Sequence, residues 1–448
     1  MGVCASAEIQ EAHRSKILKR NNAGLAEIPL AYFSIHNLEE VWLQGNAIRE
    51  LPAHKLAQWS SIELCYMSDN QISALPPEVA HWSKIEEANF SNNNISALPP
   101  AVGRWVELKQ LYLNSLKISA LPKEIASWTN LKVLHMNNCC LTTLPEEVSA
   151  LTNLVMVALN NNHLSELPAG VERWAKLEKL FLNDNQLSSL PPAIRGWERL
   201  EKLYVNNNLL TKLPAEIGEL CDNLDELYVL ENSLAALPEQ LCHCAKLNKL
   251  YLHHNQITAL PQGLSGLRNL EILHVGDNKL TQLPPLYEIP TIKFIHANNN
   301  KLNSLQEAFT ELKELRVFDV EGNLSLDTES LAVATAVQAN LVKGWDFSIR
   351  TPSSAAQMQF GLERQSTSQM PDSPSLEVRL SGDLKQSKLL TSNYSRSDSS
   401  KYSISKMASK SKRALAKDQV EAGIQLKMAR QVLDAQDEVV IELSDESD

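Results

Sequence analysis

Between Leu38 and Leu326 the chain returns to one pattern about every 23 residues, and that period constrains the fold more than any other feature. A clear copy is LEKLFLNDNQLSSLPPAIRGWER, residues 177–199. With Leu177 as position 1, apolar residues fall at positions 1, 4, 6, 11 and 14, asparagine (Asn185) at position 9 and proline (Pro191) at position 15. Thirteen units begin at Leu38, Ile62, Ile85, Leu108, Leu131, Leu154, Leu177, Leu200, Leu224, Leu247, Leu270, Ile292 and Leu315; two intervals are 24 residues and one is 22. A unit this short cannot bury its own apolar side chains, so it folds only by stacking on its neighbours, which makes a solenoid.

Each recurring position has a physical reading. Positions 4 and 6 alternate with polar residues, the period of a short strand with one buried face. Stacked strands give a parallel sheet whose positions 3, 5 and 7 point away from the core. Position 9 is asparagine in eleven of thirteen units, and its amide can satisfy backbone groups where the chain turns inward. Leu116 and Cys139 break this rule in consecutive units. Leucine cannot hydrogen-bond, so a local irregularity or a bridging water is expected near Leu116. Twelve of the twenty prolines follow Leu or Ile at position 14, which suits an outer return path with no need for a donor. Six tryptophans (Trp59, Trp82, Trp105, Trp128, Trp174, Trp197) recur near position 21 and should close the convex side of the core.

On these residues the chain is identified as a leucine-rich-repeat protein. It is expected to be an α/β solenoid of about 13 repeats with a parallel concave sheet, followed by a largely disordered C-terminal tail. The form seen in LDELYVLENSLAALPEQL, residues 224–241, resembles the intracellular Ras-group repeats of plant proteins and of the animal Ras–Raf scaffold. Met1-Gly2, a polar helix and GLAEIP (residues 24–29) resemble a family of small myristoylated cytoplasmic leucine-rich-repeat proteins. The resemblance implies a binding role and, as partners, a Ras-like small GTPase or a phosphatase catalytic subunit.

The expected organisation is an acylation signal (1–6), a helical cap with a first partial repeat (7–37), the solenoid (38–326) and a C-terminal helical cap (327–345). A cap helix is expected from Ala7 to Arg20. Beyond lie a Ser-rich disordered linker (346–411), a possible helix (412–437) and an acidic end (438–448). The linker's serine density is high, 17 between Ser353 and Ser411, with few large apolar residues. Leu415, Ala422, Leu426, Ala429 and Leu433 follow heptad-like spacing over less than three heptads. Seven basic residues against one acid between Arg396 and Lys417 read as a solvated run or an anionic-lipid contact.

The opening MGVCAS makes Gly2 a myristoylation site and Cys4 a palmitoylation site. One acyl chain binds membranes only marginally, so two signals are needed for stable anchoring. On this reading the stretch is a tether outside the fold. Arg14, Lys16, Lys19 and Arg20 assist it if exposed, and the protein works at the inner face of the plasma membrane or another membrane, with a soluble cytosolic form as the alternative. No apolar run approaches the roughly 20 residues that cross a bilayer. A net charge of −11 argues against nucleic-acid binding. Seven cysteines, an odd number with no secretory leader in view, do not read as a disulfide framework and suit a reducing compartment.

No phosphate loop, His-Glu-x-x-His, Gly-x-Ser-x-Gly or kinase signature occurs, so a non-enzymatic adaptor or scaffold with no cofactor is expected. The alternative is a soluble regulatory or substrate-recognition subunit of a phosphatase, cyclase or ubiquitin ligase. Position 5 supplies the candidate contact stripe. Trp42, Tyr66, Tyr112, Phe181, Tyr204, Tyr228 and Tyr251 are aromatic there, joined by His274 and His296. Strands about 4.8 Å apart would carry these rings along roughly 60 Å of exposed face. Lys202, with Lys179 and Lys249, stands beside them at position 3, and Asn114, Asn137, Asn160, Asn183 and Asn206 at position 7, a surface able to read an acidic partner. His274, His296 and Asp319 on successive strands make a metal site conceivable but read as polar surface. Cys221, Cys242 and Cys244 around His243 suggest zinc superficially and read as core packing. Finally, Val439, Val440, Ile441 and Leu443 followed by acids resemble a SUMO-interacting motif, whose binding phosphorylated Ser444 would strengthen.

Overall fold

The structure is a computed structural model, and it describes residues 2–341, with side chains from residue 9 onward. The linker, the possible helix at 412–437, the basic run and the SUMO-like motif all lie outside the described residues.

Fourteen three-residue strands form one parallel sheet in chain order. They are β1 (Ile17–Lys19), β2 (Glu40–Trp42), β3 (Leu64–Tyr66), β4 (Glu87–Asn89), β5 (Gln110–Tyr112), β6 (Val133–His135) and β7 (Met156–Ala158), followed by β8 (Lys179–Phe181), β9 (Lys202–Tyr204), β10 (Glu226–Tyr228), β11 (Lys249–Tyr251), β12 (Ile272–His274), β13 (Phe294–His296) and β14 (Val317–Asp319). The pairing is in register, so each position 5 lies beside the next, Tyr204 against Tyr228 and Tyr228 against Tyr251. A short 3₁₀ helix returns each chain on the outer side, typically five residues entered from the Leu-Pro step, as at Pro192–Gly196. Proline there needs no donor, and its fixed φ starts the return.

Between the two layers runs a core of leucine, isoleucine and valine closed on the outer side by the six tryptophans, all essentially buried. Four indoles donate to the valine carbonyl one turn back: Trp105 to Val79, Trp128 to Val102, Trp174 to Val148 and Trp197 to Val171, at 2.8–2.9 Å. Trp82 is the exception, its Nε1 buried without a partner. The unit before it is where the outer path begins with an α-helical turn, α2 (Ala53–Leu56), so the equivalent carbonyl is drawn into a different turn.

Position 9 does what its amide allows. Asn162 donates to Met136 O, Leu159 O and Asn160 O and accepts the N–H of Leu141. The expected irregularity at Leu116 is confined to side-chain bonding. Ser115 keeps the left-handed φ of its neighbours, 57°, and Leu116 is buried. Cys139 supplies a thiol donor to Leu113 O at 3.2 Å in place of the amide. Position 8 is left-handed in every unit, from Gly45 and Asp69 to Asn299 and Gly322. Glycine, asparagine and aspartate dominate there because they reach that region at least cost.

The caps differ from expectation in their boundaries. The N-terminal helix α1 spans Gly2–Ser15, not Ala7 to Arg20. Lys16 turns the chain with φ 61°, and Ile17–Lys19 then pair with Glu40–Trp42 as the first strand. Helical backbone therefore reaches Gly2. At the other end α3 (Thr328–Asn340) starts at an N-cap, the Asp327 carboxylate accepting Ser330 N–H at 2.8 Å.

One side-chain expectation is corrected. Cys221 and Cys244 are joined by a disulfide across successive turns, not packed as free thiols. The extra residue in the 24-residue unit carries Cys221 to the turn directly beside Cys244. Among the described residues Cys65, Cys139, Cys140 and Cys242 are free. Of the four basic residues near the N-terminus, Arg14, Lys16 and Lys19 are exposed and Arg20 is half-buried; Arg14 pairs with Glu11, Lys16 pairs with Glu39, Lys19 lies over the Trp42 ring at 4.8 Å and Arg20 donates to the Tyr32 hydroxyl. Among the described residues no helix is long and apolar enough to cross a membrane.

Candidate interaction face

Position 5 side chains do stand in one row on the strand face, but the row covers itself. Strand spacing matches ring thickness closely enough for neighbours to stack. Ring centroids are 4.1 Å apart for Trp42–Tyr66, 5.0 Å for Phe181–Tyr204, 4.2 Å for Tyr204–Tyr228 and 4.4 Å for Tyr228–Tyr251. The expectation of a continuously exposed stripe is corrected on this point: Tyr66, Phe181, Tyr228 and Tyr251 are buried, Tyr251 to 4 % exposure. Trp42, Tyr112, Tyr204, His274 and His296 keep partly exposed edges. The rings form a rigid floor, and what stands above it is position 3.

On β8–β11 that position reads Lys179, Lys202, Glu226, Lys249. Glu226 is 5 % exposed and takes Lys202 Nζ at 2.9 Å, Lys249 Nζ at 3.4 Å and the Tyr204 hydroxyl. Burial pushes its pKa up, but Lys249, the Tyr204 hydroxyl and Lys202 outweigh burial and hold it below the ordinary carboxylate value. Two lysines thus share one carboxylate, and among the described residues Lys179, in the same row, has no ion pair. Further toward the N-terminus the floor is tied down by Trp42 Nε1 to Glu40 at 2.8 Å and Tyr66 Oη to Glu87 at 2.5 Å.

The position-7 asparagines also bond to one another, which the sequence reading missed. Asn114 Oδ1 accepts both the N–H and the side-chain amide of Asn137, and Asn137 does the same for Asn160. Asn160 and Asn183 then accept the N–H of Asn183 and Asn206. Five asparagines at one spacing were the available signal; a ladder consumes most of the polarity expected to face a partner.

The histidines at the C-terminal end come together without forming a metal site. His253 and His274 stack at 3.9 Å, His274 and His296 lie 4.8 Å apart, and His296 Nδ1 is 4.0 Å from Asp319. Stacked faces do not converge their nitrogens, and among the described residues no group of three His, Cys, Asp or Glu is arranged to hold a metal ion. His253, absent from the sequence-level candidates, is 2 % exposed with neither ring nitrogen partnered. Burial lowers its pKa to about 3, with His254 and His296 adding to the effect.

A parallel sheet, one 3₁₀ return per 23 residues and an inward asparagine ladder define the leucine-rich-repeat fold. Leucine-rich-repeat family models match residues 130–151, 175–216, 198–257 and 245–288. No curated protein matches the chain. Among solved structures, a leucine-rich-repeat protein of Leptospira interrogans is similar at 25 % identity and TM-score 0.62, covering 74 % of this chain and 97 % of that one. YopM from Yersinia enterocolitica is similar at 25 % identity and TM-score 0.54, over 70 % of this chain and 62 % of its own. The plant peptide hormone receptor RGFR1, solved with RGF2, shares the fold at 23 % identity and TM-score 0.57; the match covers 66 % of this chain and 53 % of the receptor. The fold is typical of protein–protein interaction domains.

Proposed function

We propose that the chain is a non-enzymatic adaptor or scaffold in intracellular signalling that binds protein partners through β8–β11 of its concave face. The observation that carries this reading is the pair Lys202 and Lys249 on the buried Glu226 carboxylate, with Lys179 next in the row, set on a floor of stacked rings. Rigid aromatic and cationic groups with little conformational freedom left to lose are what a binding hot spot requires. A Ras-like GTPase or a phosphatase catalytic subunit are the partners that the repeat form suggests. Acylation at Gly2 and Cys4 places this surface at a cytoplasmic membrane face; helical backbone reaching Gly2 supports a link in which the anchor and the cap are continuous. The soluble alternative, a regulatory or recognition subunit, uses the same face without the anchor.

Site-specific photo-crosslinking tests the face. A photoreactive residue replacing Lys179 is expected to capture a discrete partner in cells. The same residue replacing Lys123, exposed on the outer side, is expected to capture none. Capture from Lys123 alone would refute the assignment.

A further inference from the structure

Past β10 the concave face changes character. The position-7 asparagine ladder stops at Leu230, whose N–H donates to Asn206 Oδ1 at 3.2 Å. The next two residues at that position are His253 and Gly276. Gly276 offers no side chain to lie against, and the His253 ring packs instead on His274 of β12, face to face at 3.9 Å. His296 of β13 continues the stack at 4.8 Å. His253 is 2 % exposed and neither of its ring nitrogens has a partner. A buried imidazole so placed is held neutral, because a charge on it would be neither solvated nor paired.

From β11, Tyr251 faces the stack with its ring centroid 6.3 Å from His253 and 6.0 Å from His274. From the turn after β11, His254 lies 5.4 Å from His253, and its own Nε2 is 3.8 Å from Asp277 in the following turn. From β14, Asp319 approaches the far end, 4.0 Å from His296 Nδ1. Along the sheet face the same strands also carry Lys249 paired with Glu226, Lys293 paired with Glu271, and Arg316 and Glu321 on either side of Asp319; Glu231 stands in the turn after β10. Burial lowers the pKa of all three stacked rings; neighbouring histidines add to this for His253 and His274, and Asp319 opposes it for His296.

We propose that this stack is an acid-sensitive latch: protonation of His253, His274 and His296 opens β11–β14 while the units before them stay folded. Protonated rings at these separations repel, and the one carboxylate against the stack stands at its far end. The unfolded chain takes up these protons near pH 6.5 and the folded stack only below that, so the latch is closed above pH 6.5 and weakens as pH falls. Opening stays local because each unit of a solenoid rests only on its neighbours, and β11 is the fourth strand from the end of the sheet. The stack also abuts the ring floor of β8–β11 through Tyr251 and His274. If that floor binds a partner as proposed, acid loosens its C-terminal edge; this consequence rests on the proposed function, whereas the opening itself is a property of the free chain.

Hydrogen–deuterium exchange on the full chain without a partner, at pH 7 and pH 5 and corrected for the intrinsic pH dependence of amide exchange, tests the latch. In the wild type, protection of residues 250–320 is expected to fall about tenfold or more at pH 5, and that of residues 110–204 less than about twofold. The double variant His253→Leu, His274→Tyr takes the residues that Leu230 and Tyr251 already place one unit earlier. It is expected to hold its protection of residues 250–320 within about threefold between the two pH values. Replacing the exposed His163 by glutamine is expected to leave the wild-type response intact. Unchanged wild-type protection overturns the proposal, as does a loss spread equally over both segments, and neither result depends on the variant folding. An equal loss in the double variant overturns it as well.

Discussion

Asn162 uses one amide for four backbone groups, and that economy sets the cost of losing it. Replacing it with alanine strands the Leu141 N–H and two carbonyls in a buried turn, with an expected loss of about 2–3 kcal/mol measurable by urea denaturation. Leu116 shows how a unit tolerates the missing amide: Asn93 still serves Phe90 O, and Cys139 serves Leu113 O. His253 gives a second residue-level test. Its folded pKa is depressed to about 3 from 6.5, so the neutral ring favours the fold, and the contribution is complete above pH 6.5. It is lost as pH falls from 6.5 toward 3, about 2 kcal/mol by pH 5. His274 and His296 shift in the same direction, also chiefly through burial. Leucine already occupies this position one unit earlier, as buried Leu230, so His253→Leu is expected to fold and to flatten the loss of stability between pH 7 and pH 5. An unchanged acid slope would show that the ring does not take up a proton on unfolding.

At the scale of the element, each repeat is spaced by what its outer turn tolerates. A Cβ at Gly196 would lie 1.8 Å from Glu172 O, a backbone atom that cannot move aside. Gly196→Ala is therefore expected to cost about 1–3 kcal/mol, read as a lower urea midpoint with the slope retained. The strands, the 3₁₀ returns and the buried tryptophans were legible because each repeats at a fixed interval and each apolar slot has one possible direction. The left-handed turn at position 8 went unread, although Asp69, Asn92, Asp184 and Asn207 are residue types that favour it. The burial of Tyr66, Tyr228 and Tyr251 was not legible. Alternation gives the face a side chain points to, whereas exposure depends on ring-to-ring distances set by register. The asparagine ladder at position 7 was hidden for the same reason, since its partners lie 23 residues away. The Cys221–Cys244 disulfide depends on a single extra residue in one unit, an offset that a periodic reading averages out.

For the whole molecule the central question is what the 14-stranded face holds and where it is held. Loss of the acyl acceptor by Gly2→Ala is expected to move the protein from the membrane pellet to the soluble fraction without altering its thermal melting. One acyl chain supplies an association constant on the order of 10⁴ M⁻¹, so Cys4→Ser alone is expected to leave only weak, easily washed association. Pelleting of Gly2→Ala at the wild-type level would transfer the reading to the soluble alternative. The most direct test of the binding face uses the partner captured at Lys179. Its affinity is to be measured by calorimetry with the wild-type chain, with Lys179→Glu and with the outer-face control Lys123→Glu. A loss of tenfold or more with Lys179→Glu, and none with Lys123→Glu, is the predicted result; equal affinity for all three chains would contradict the concave face as the site of recognition.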